Sequence, residues 1–125
     1  MPRISVSVAL ISIALCICAG SLSSCKPPGK GEHAEAGYNN ARPLIAALKR
    51  YHDRRHDYPV RLRDLLPSDL AESAWTTPEG KPVDEFFKYQ KSDLSYQLQF
   101  SYTGPGTNLC IYTPEADKWQ CVGHY

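Results

Sequence analysis

His52 and His56 stand four residues apart, the spacing at which two imidazoles on one helix face can share a metal ion. Asp53 and Asp57 stand beside them. The string lacks the glutamate of a His-Glu-x-x-His protease, and cations near a helix C-terminus are favoured by the dipole alone. We therefore read a solvated cluster and expect no metal. Arg54, Arg55, Arg61 and Arg63 form a basic set interspersed with Asp53, Asp57 and Asp64. Its plain reading is solvated surface. Its sharper reading is a docking face for an acidic partner or lipid headgroups, because arginine forks fit carboxylate and phosphate. Glu115 and Asp117 offer calcium two carboxylates, well short of the roughly 6 to 8 oxygens it takes. Trp75, Tyr89, Tyr102, Tyr112 and Trp119 could build a stacking surface for a glycan or peptide, although core and rim packing is the commoner use of such rings.

No combination of these residues makes a nucleophile with its base, a Gly-x-Ser-x-Gly elbow or a phosphate-cradling glycine loop. The expectation is a non-enzymatic chain with no catalytic residue and no cofactor. The 14 Lys and Arg nearly balance the 13 Asp and Glu, and all of them except Arg3 lie beyond Cys25, so there is no electrostatic footprint for nucleic acid.

The N-terminus has the architecture of an export signal. Arg3 supplies a positive n-region, residues 4–19 an uncharged apolar region, and residues 20–24 the small side chains that cleavage needs. Within it, Leu22-Ser23-Ser24-Cys25 resembles the lipobox of bacterial lipoproteins. That resemblance implies cleavage after residue 24, lipidation of the Cys25 thiol, and a protein held to a membrane by acyl chains, palmitate among them. One chain binds marginally while two or three bind firmly, at roughly 0.8 kcal/mol per buried CH₂. By analogy with the enteric sorting rule, Lys26 in place of Asp after the cysteine implies the outer membrane rather than the inner. The alternatives are a plain secretory signal or an uncleaved anchor. The apolar run is shorter than the roughly 20 residues a spanning helix wants, and Lys26-Pro27-Pro28-Gly29 continues the chain with helix-breaking chemistry.

Of five cysteines, Cys16 and Cys18 would leave with the signal and Cys25 would carry lipid. Cys110 and Cys121 remain, and in an oxidising compartment two leftover thiols default to a disulfide. The rival, a metal site, has only His124 nearby to add to them. With both thiols joined, no activated free cysteine is left for catalysis. The chain beyond Cys25 makes one small domain, a size class whose core benefits from a staple.

These groups need elements to position them. Residues 1–24 read as signal, 25–37 as a polar Pro, Gly, Lys and Glu tether, and 38–125 as the folded domain. Tyr38, Ala41, Leu44, Ile45, Leu48 and Tyr51 recur at helical steps, with Arg42, Lys49 and Arg50 off the stripe. The pattern predicts a helix over 41–55, capped by Asn39 or Asn40, with Pro43 in its first turn and its end forced by Pro59. Residues 59–67 read as one or two helical turns with Leu62, Leu65 and Leu66 on one side, and 67–82 as a long connection. Beyond Pro82 the period becomes two. Residues 85–90, 95–102, 108–113 and 118–122 read as strands, with Tyr96, Leu98, Phe100 and Tyr102 on one face of the second. If residues 114–117 form the last loop, Thr113 faces Lys118, Tyr112 faces Trp119 and Cys110 faces Cys121, a spacing close to what a disulfide needs.

Ala46-Ala47-Leu48-Lys49-Arg50-Tyr51-His52-Asp53, then Asp57-Tyr58-Pro59, Leu62, Asp64-Leu65-Leu66-Pro67 and Leu70 resemble the soluble region of type IV pilin-like proteins, above all type II secretion pseudopilins. The resemblance implies an α+β fold, one long amphipathic helix packed on a small antiparallel sheet of about four strands, closed here by a C-terminal disulfide hairpin. A lipobox and tether replace the hydrophobic helical spine of a pilus subunit. The expected function is an interaction or accessory subunit of an envelope assembly, facing the periplasm beside a protein partner. The alternative is a periplasmic ligand-binding or inhibitor module using an aromatic sheet surface.

Overall fold

A computed structural model describes residues 27–124. The signal and the Cys25 lipidation position lie outside these residues.

The first element is helix α1, Glu32–Arg55, which starts well before the expected residue 41. Residues 32–37, assigned from composition to the tether, are helical. Glu32 and Glu35 sit in the first turn, where carboxylates complement the positive end of the dipole. Ala34, Gly37 and Ala41 are buried, so this end packs through small residues that let two backbones approach rather than through bulk. Pro43 consequently lies inside the helix and not in its first turn. It removes one N–H from the ladder, at a turn where both Asn39 and Pro43 are exposed residues. At the other end His56 takes a left-handed conformation (φ 58°) and donates its N–H to the His52 carbonyl at 2.7 Å, closing the helix before Pro59 as expected.

Among the described residues four strands follow: β1 Lys88–Lys91, β2 Tyr96–Thr103, β3 Thr107–Thr113 and β4 Lys118–His124. They form one antiparallel sheet in the order β1-β2-β3-β4. The molecule is thus α+β, a long helix over a four-stranded antiparallel meander. The last hairpin has the register counted from its loop: Thr113 opposite Lys118, Tyr112 opposite Trp119, and Cys110 opposite Cys121. A disulfide joins Cys110 to Cys121.

Residues 85–90 depart from the strand reading. Val83–Phe86 form a single helical turn, α2, and pairing begins only at Lys88. Pro82 precedes this turn, and Asp84 and Glu85 occupy its start, the chemistry of a helix beginning, while Phe86 and Phe87 meet edge-on at 4.7 Å. The region 59–67 contains one 3₁₀ turn, Leu62–Leu65, and the long connection a second, Glu72–Ala74.

The core lies between α1 and one face of the sheet. Ala41, Leu44, Ala47 and Leu48 from the helix meet Leu98, Phe100, Cys110 and Tyr112 from the strands, with Leu62, Leu65, Leu70, Val83 and Phe87 sealing one side. Each fully buried leucine or phenylalanine contributes about 1.5–3 kcal/mol. The opposite sheet face carries Gln97, Gln99 and Ser101, as the alternation requires.

Candidate functional site

An open groove of about 680 Å³ with convergent polar groups lies between the second half of α1 and the β3–β4 hairpin. Helical spacing puts Arg42, Ile45, Ala46, Lys49, His52 and Asp53 along one wall. Tyr112, Asp117, Lys118 and Trp119 make the opposite wall, and Tyr58 and Tyr96 lie at one end. The chain turn at Asp57-Tyr58-Pro59 brings the Tyr58 ring back against the helix, where it stacks on His52 at 4.4 Å and meets Tyr96 edge-on at 4.8 Å. Tyr96 and Tyr112 are neighbours at 6.3 Å, and Tyr112 and Trp119 at 5.4 Å. Four rings in sequence thus floor the groove: Tyr96 and Tyr112 are buried beneath it, while Tyr58 and Trp119 are part-exposed at its surface.

The polar groups are ordered. The Tyr112 hydroxyl donates to Asp117 Oδ1 at 2.7 Å. Lys49 Nζ donates to Asp53 Oδ2 at 2.9 Å, and that bond holds the Asp53 carboxyl below the usual carboxylate range. Burial pushes the Tyr58 and Tyr96 phenols up, and burial with the Asp117 bond raises Tyr112 to about 12. All three are neutral hydroxyls at physiological pH. Arg42 and Lys118 join no ion pair among the described residues. The rim therefore carries two free cations beside two occupied carboxylates.

The groove gathers residues from four stretches of chain, and only Tyr112 and Trp119 of the five expected stacking rings are in it. The Tyr89 hydroxyl donates to the Pro59 carbonyl at 2.6 Å. Tyr102 accepts the Gly29 N–H at 2.8 Å. Trp75 is buried beneath Arg63, whose guanidinium carbon lies 5.1 Å from the ring centre. Tyr58, Tyr96, Arg42 and His52 are groove residues that the sequence does not mark as such. The alternation that puts Tyr96 on the core face of β2 is the one available signal for them.

The arginine set is occupied within the chain. Arg54 pairs with Asp69, whose side chain is 4% exposed, and Arg50 donates to the Asp69 carbonyl. Arg61 pairs with Asp64 at 3.4 Å and Arg63 with Asp84 at 3.6 Å. Arg55 lies over the Tyr51 ring at 4.9 Å. His52 and His56 serve different ends, the first stacked on Tyr58 and the second closing the helix. Among the described residues no three His, Cys, Asp or Glu side chains converge as metal ligands. Of the loop carboxylates, Asp117 is engaged by Tyr112, and a hydrogen bond from Ser95 lowers the Glu115 carboxyl.

No protein-family model, curated protein or solved structure matches the chain.

Proposed function

We propose that this chain is a non-enzymatic bacterial envelope lipoprotein, acylated at Cys25, whose pilin-like domain faces the periplasm and acts as an accessory subunit by taking a segment of a partner protein into the α1–hairpin groove. The observation that carries this reading is the groove itself. Two part-exposed rings, Tyr58 and Trp119, over a buried aromatic floor, with two unpaired cations at the rim of an opening of about 680 Å³, are the composition of a binding surface. The lipobox-like residues 22–25 supply the membrane, and the order of helix, Tyr58-Pro59 turn and meander supports the pilin-like assignment. The outer membrane is the preferred address on the strength of Lys26.

The test is site-specific photo-crosslinking in cells from Ala46, an exposed residue of the groove wall, with Gln97 on the far sheet face as control. The expected result is an adduct of one defined mass from position 46 that is absent from position 97 and is lost in Trp119→Ala. No adduct from position 46, or equal adducts from both, sinks the reading.

The same rings favour a second reading, a ligand-binding or inhibitor module. It predicts that the purified domain alone changes the rate of a periplasmic hydrolase, which an accessory subunit does not do.

A further inference from the structure

The chain enters the domain through a built contact. Gly29 is buried. Its N–H donates to the Tyr102 hydroxyl and its carbonyl accepts from the Tyr38 hydroxyl, both at 2.8 Å. The Tyr38 oxygen also lies 3.3 Å from Cys121 Sγ. Gly29 has φ +86°, and a Cβ there would stand 3.0 Å from Cys121 Sγ and from the Tyr38 oxygen. Only glycine fits this position without strain. The segment ahead of α1 is therefore clasped to the disulfide by two tyrosines, and only three residues of sequence separate Gly29 from Cys25, so the clasp stands within about 14 Å of that thiol's Cα however the chain runs.

That clasp sits at one pole of the fold. Residues 30–33 lie beside Tyr102, Gly104 and Pro105, next to the β2–β3 turn. The 24-residue α1 runs from there for about 36 Å to the opposite pole, where Tyr58 meets Tyr96 and Asp57 meets Lys91 at 2.9 Å. The β1–β2 and β3–β4 turns share this far pole, as does Leu94, which is 88% exposed. Val60, 71% exposed, comes just after the α1 terminus.

We propose that the Gly29 clasp fixes the orientation of the domain on the bilayer: the pole formed by residues 30–33 and the β2–β3 turn faces the lipid headgroups, and the pole bearing Arg54, Arg55, Arg61 and Arg63 points into the periplasm. This rests on acylation at Cys25 as proposed above. The competing posture, with the domain lying on its flank, needs a cationic or apolar flank. The groove flank sets Arg42, Lys49 and Lys118 among the carboxylates of Asp53 and Asp117, close to charge balance, and the exposed large apolar residues Val60, Leu94 and Val122 make no continuous apolar flank. Headgroup charge is screened within about 8 Å at physiological salt, so it does not reach the far arginines of an upright domain.

The experiment uses the full acylated protein reconstituted into phosphatidylethanolamine–phosphatidylglycerol vesicles that carry a fluorescent headgroup acceptor. A donor dye is placed at Thr103→Cys or at Asp93→Cys, one at each pole. Energy transfer severalfold stronger from position 103 than from 93 is expected, and Gly29→Val should bring the two values together. Should Gly29→Val fail to fold, Tyr38→Phe, which removes one clasp bond, should narrow the difference instead. Equal transfer from both positions in vesicle-bound, acylated protein overturns the orientation alone, as does a difference that survives opening the clasp. Protein that stays off the vesicles with an unmodified Cys25 overturns the orientation and the lipoprotein reading together.

Discussion

Gly37 of α1 lies directly under the Phe100 ring: a Cβ built on it would fall 2.2 Å from Phe100 Cε2 and 2.3 Å from Cζ. The ring has nowhere to go, because Tyr38, Phe87 and Trp119 meet it edge-on from three directions at 5.8, 6.1 and 5.0 Å. Gly37→Ala would gain about 1 kcal/mol of helix propensity, while overpacking at such distances costs about 3 kcal/mol. The net expectation is a loss of about 2 kcal/mol, read as a lowered thermal midpoint with the helical signal kept. A variant as stable as the parent would mean that helix and sheet do not approach this closely.

This contact also explains what the sequence could and could not convey. A strand pairing is a matter of counting once its loop is recognised, so Cys110, Tyr112 and Thr113 find their partners from residue numbers alone. The first turns of α1 escape such a reading because Ala34 and Gly37 are buried by proximity, whereas hydrophobic periodicity reads only bulk. Phe86 and Phe87 suggest a strand, yet Pro82 with Asp84 and Glu85 settles a helical turn first. The groove is illegible for a different reason: Arg42, Tyr58, Tyr96 and Trp119 belong to four stretches that only the folded chain brings together. The arginine set is visible as a cluster of charge, but its occupation by Asp64, Asp69 and Asp84 is not.

Joining Cys110 to Cys121 closes a short loop, with a sequence separation of 11, and the chain-entropy contribution for such a loop is about 3 kcal/mol. A small domain commands roughly 5–15 kcal/mol in all. Cys110→Ser with Cys121→Ser should therefore lower the thermal midpoint by more than about 10 °C. Because Gly29 and Tyr38 rest on Cys121, the same variant should speed proteolysis ahead of α1. An unchanged midpoint would show that the hairpin holds its register without the bridge.

Arg54 and Arg61 look alike in sequence but do different work. Arg54 is the guanidinium partner of the Asp69 carboxylate, whose side chain is 4% exposed, whereas the Arg61–Asp64 pair is 76% and 33% exposed. Removing one partner of a buried charge leaves the other desolvated and unpaired, while exposed pairs contribute about 0–1 kcal/mol. Arg54 is itself half exposed, so Arg54→Ala should cost about 1–2 kcal/mol in chemical denaturation, and Arg61→Ala less than about 0.5 kcal/mol. Equal losses from the two would place Asp69 in water.

Stability should fall on the alkaline side through the groove tyrosines. The Tyr58, Tyr96 and Tyr112 phenols are raised by burial above their ordinary value, Tyr112 to about 12 with help from its bond to Asp117. An unfolded chain ionises its tyrosines near pH 10. Folding therefore holds protons that the unfolded chain gives up, so the stabilisation is intact below about pH 10 and is lost as pH rises from there through the folded-state values. Melting midpoints should be flat from about pH 7 to 9 and decline above about 10. Tyr112→Phe should start from a lower midpoint, having lost the Asp117 bond, yet decline less steeply, having one phenol fewer to ionise. A decline that begins below about pH 9, or one of the same slope in both proteins, would show that these rings are open to solvent and that the groove floor is not packed as described.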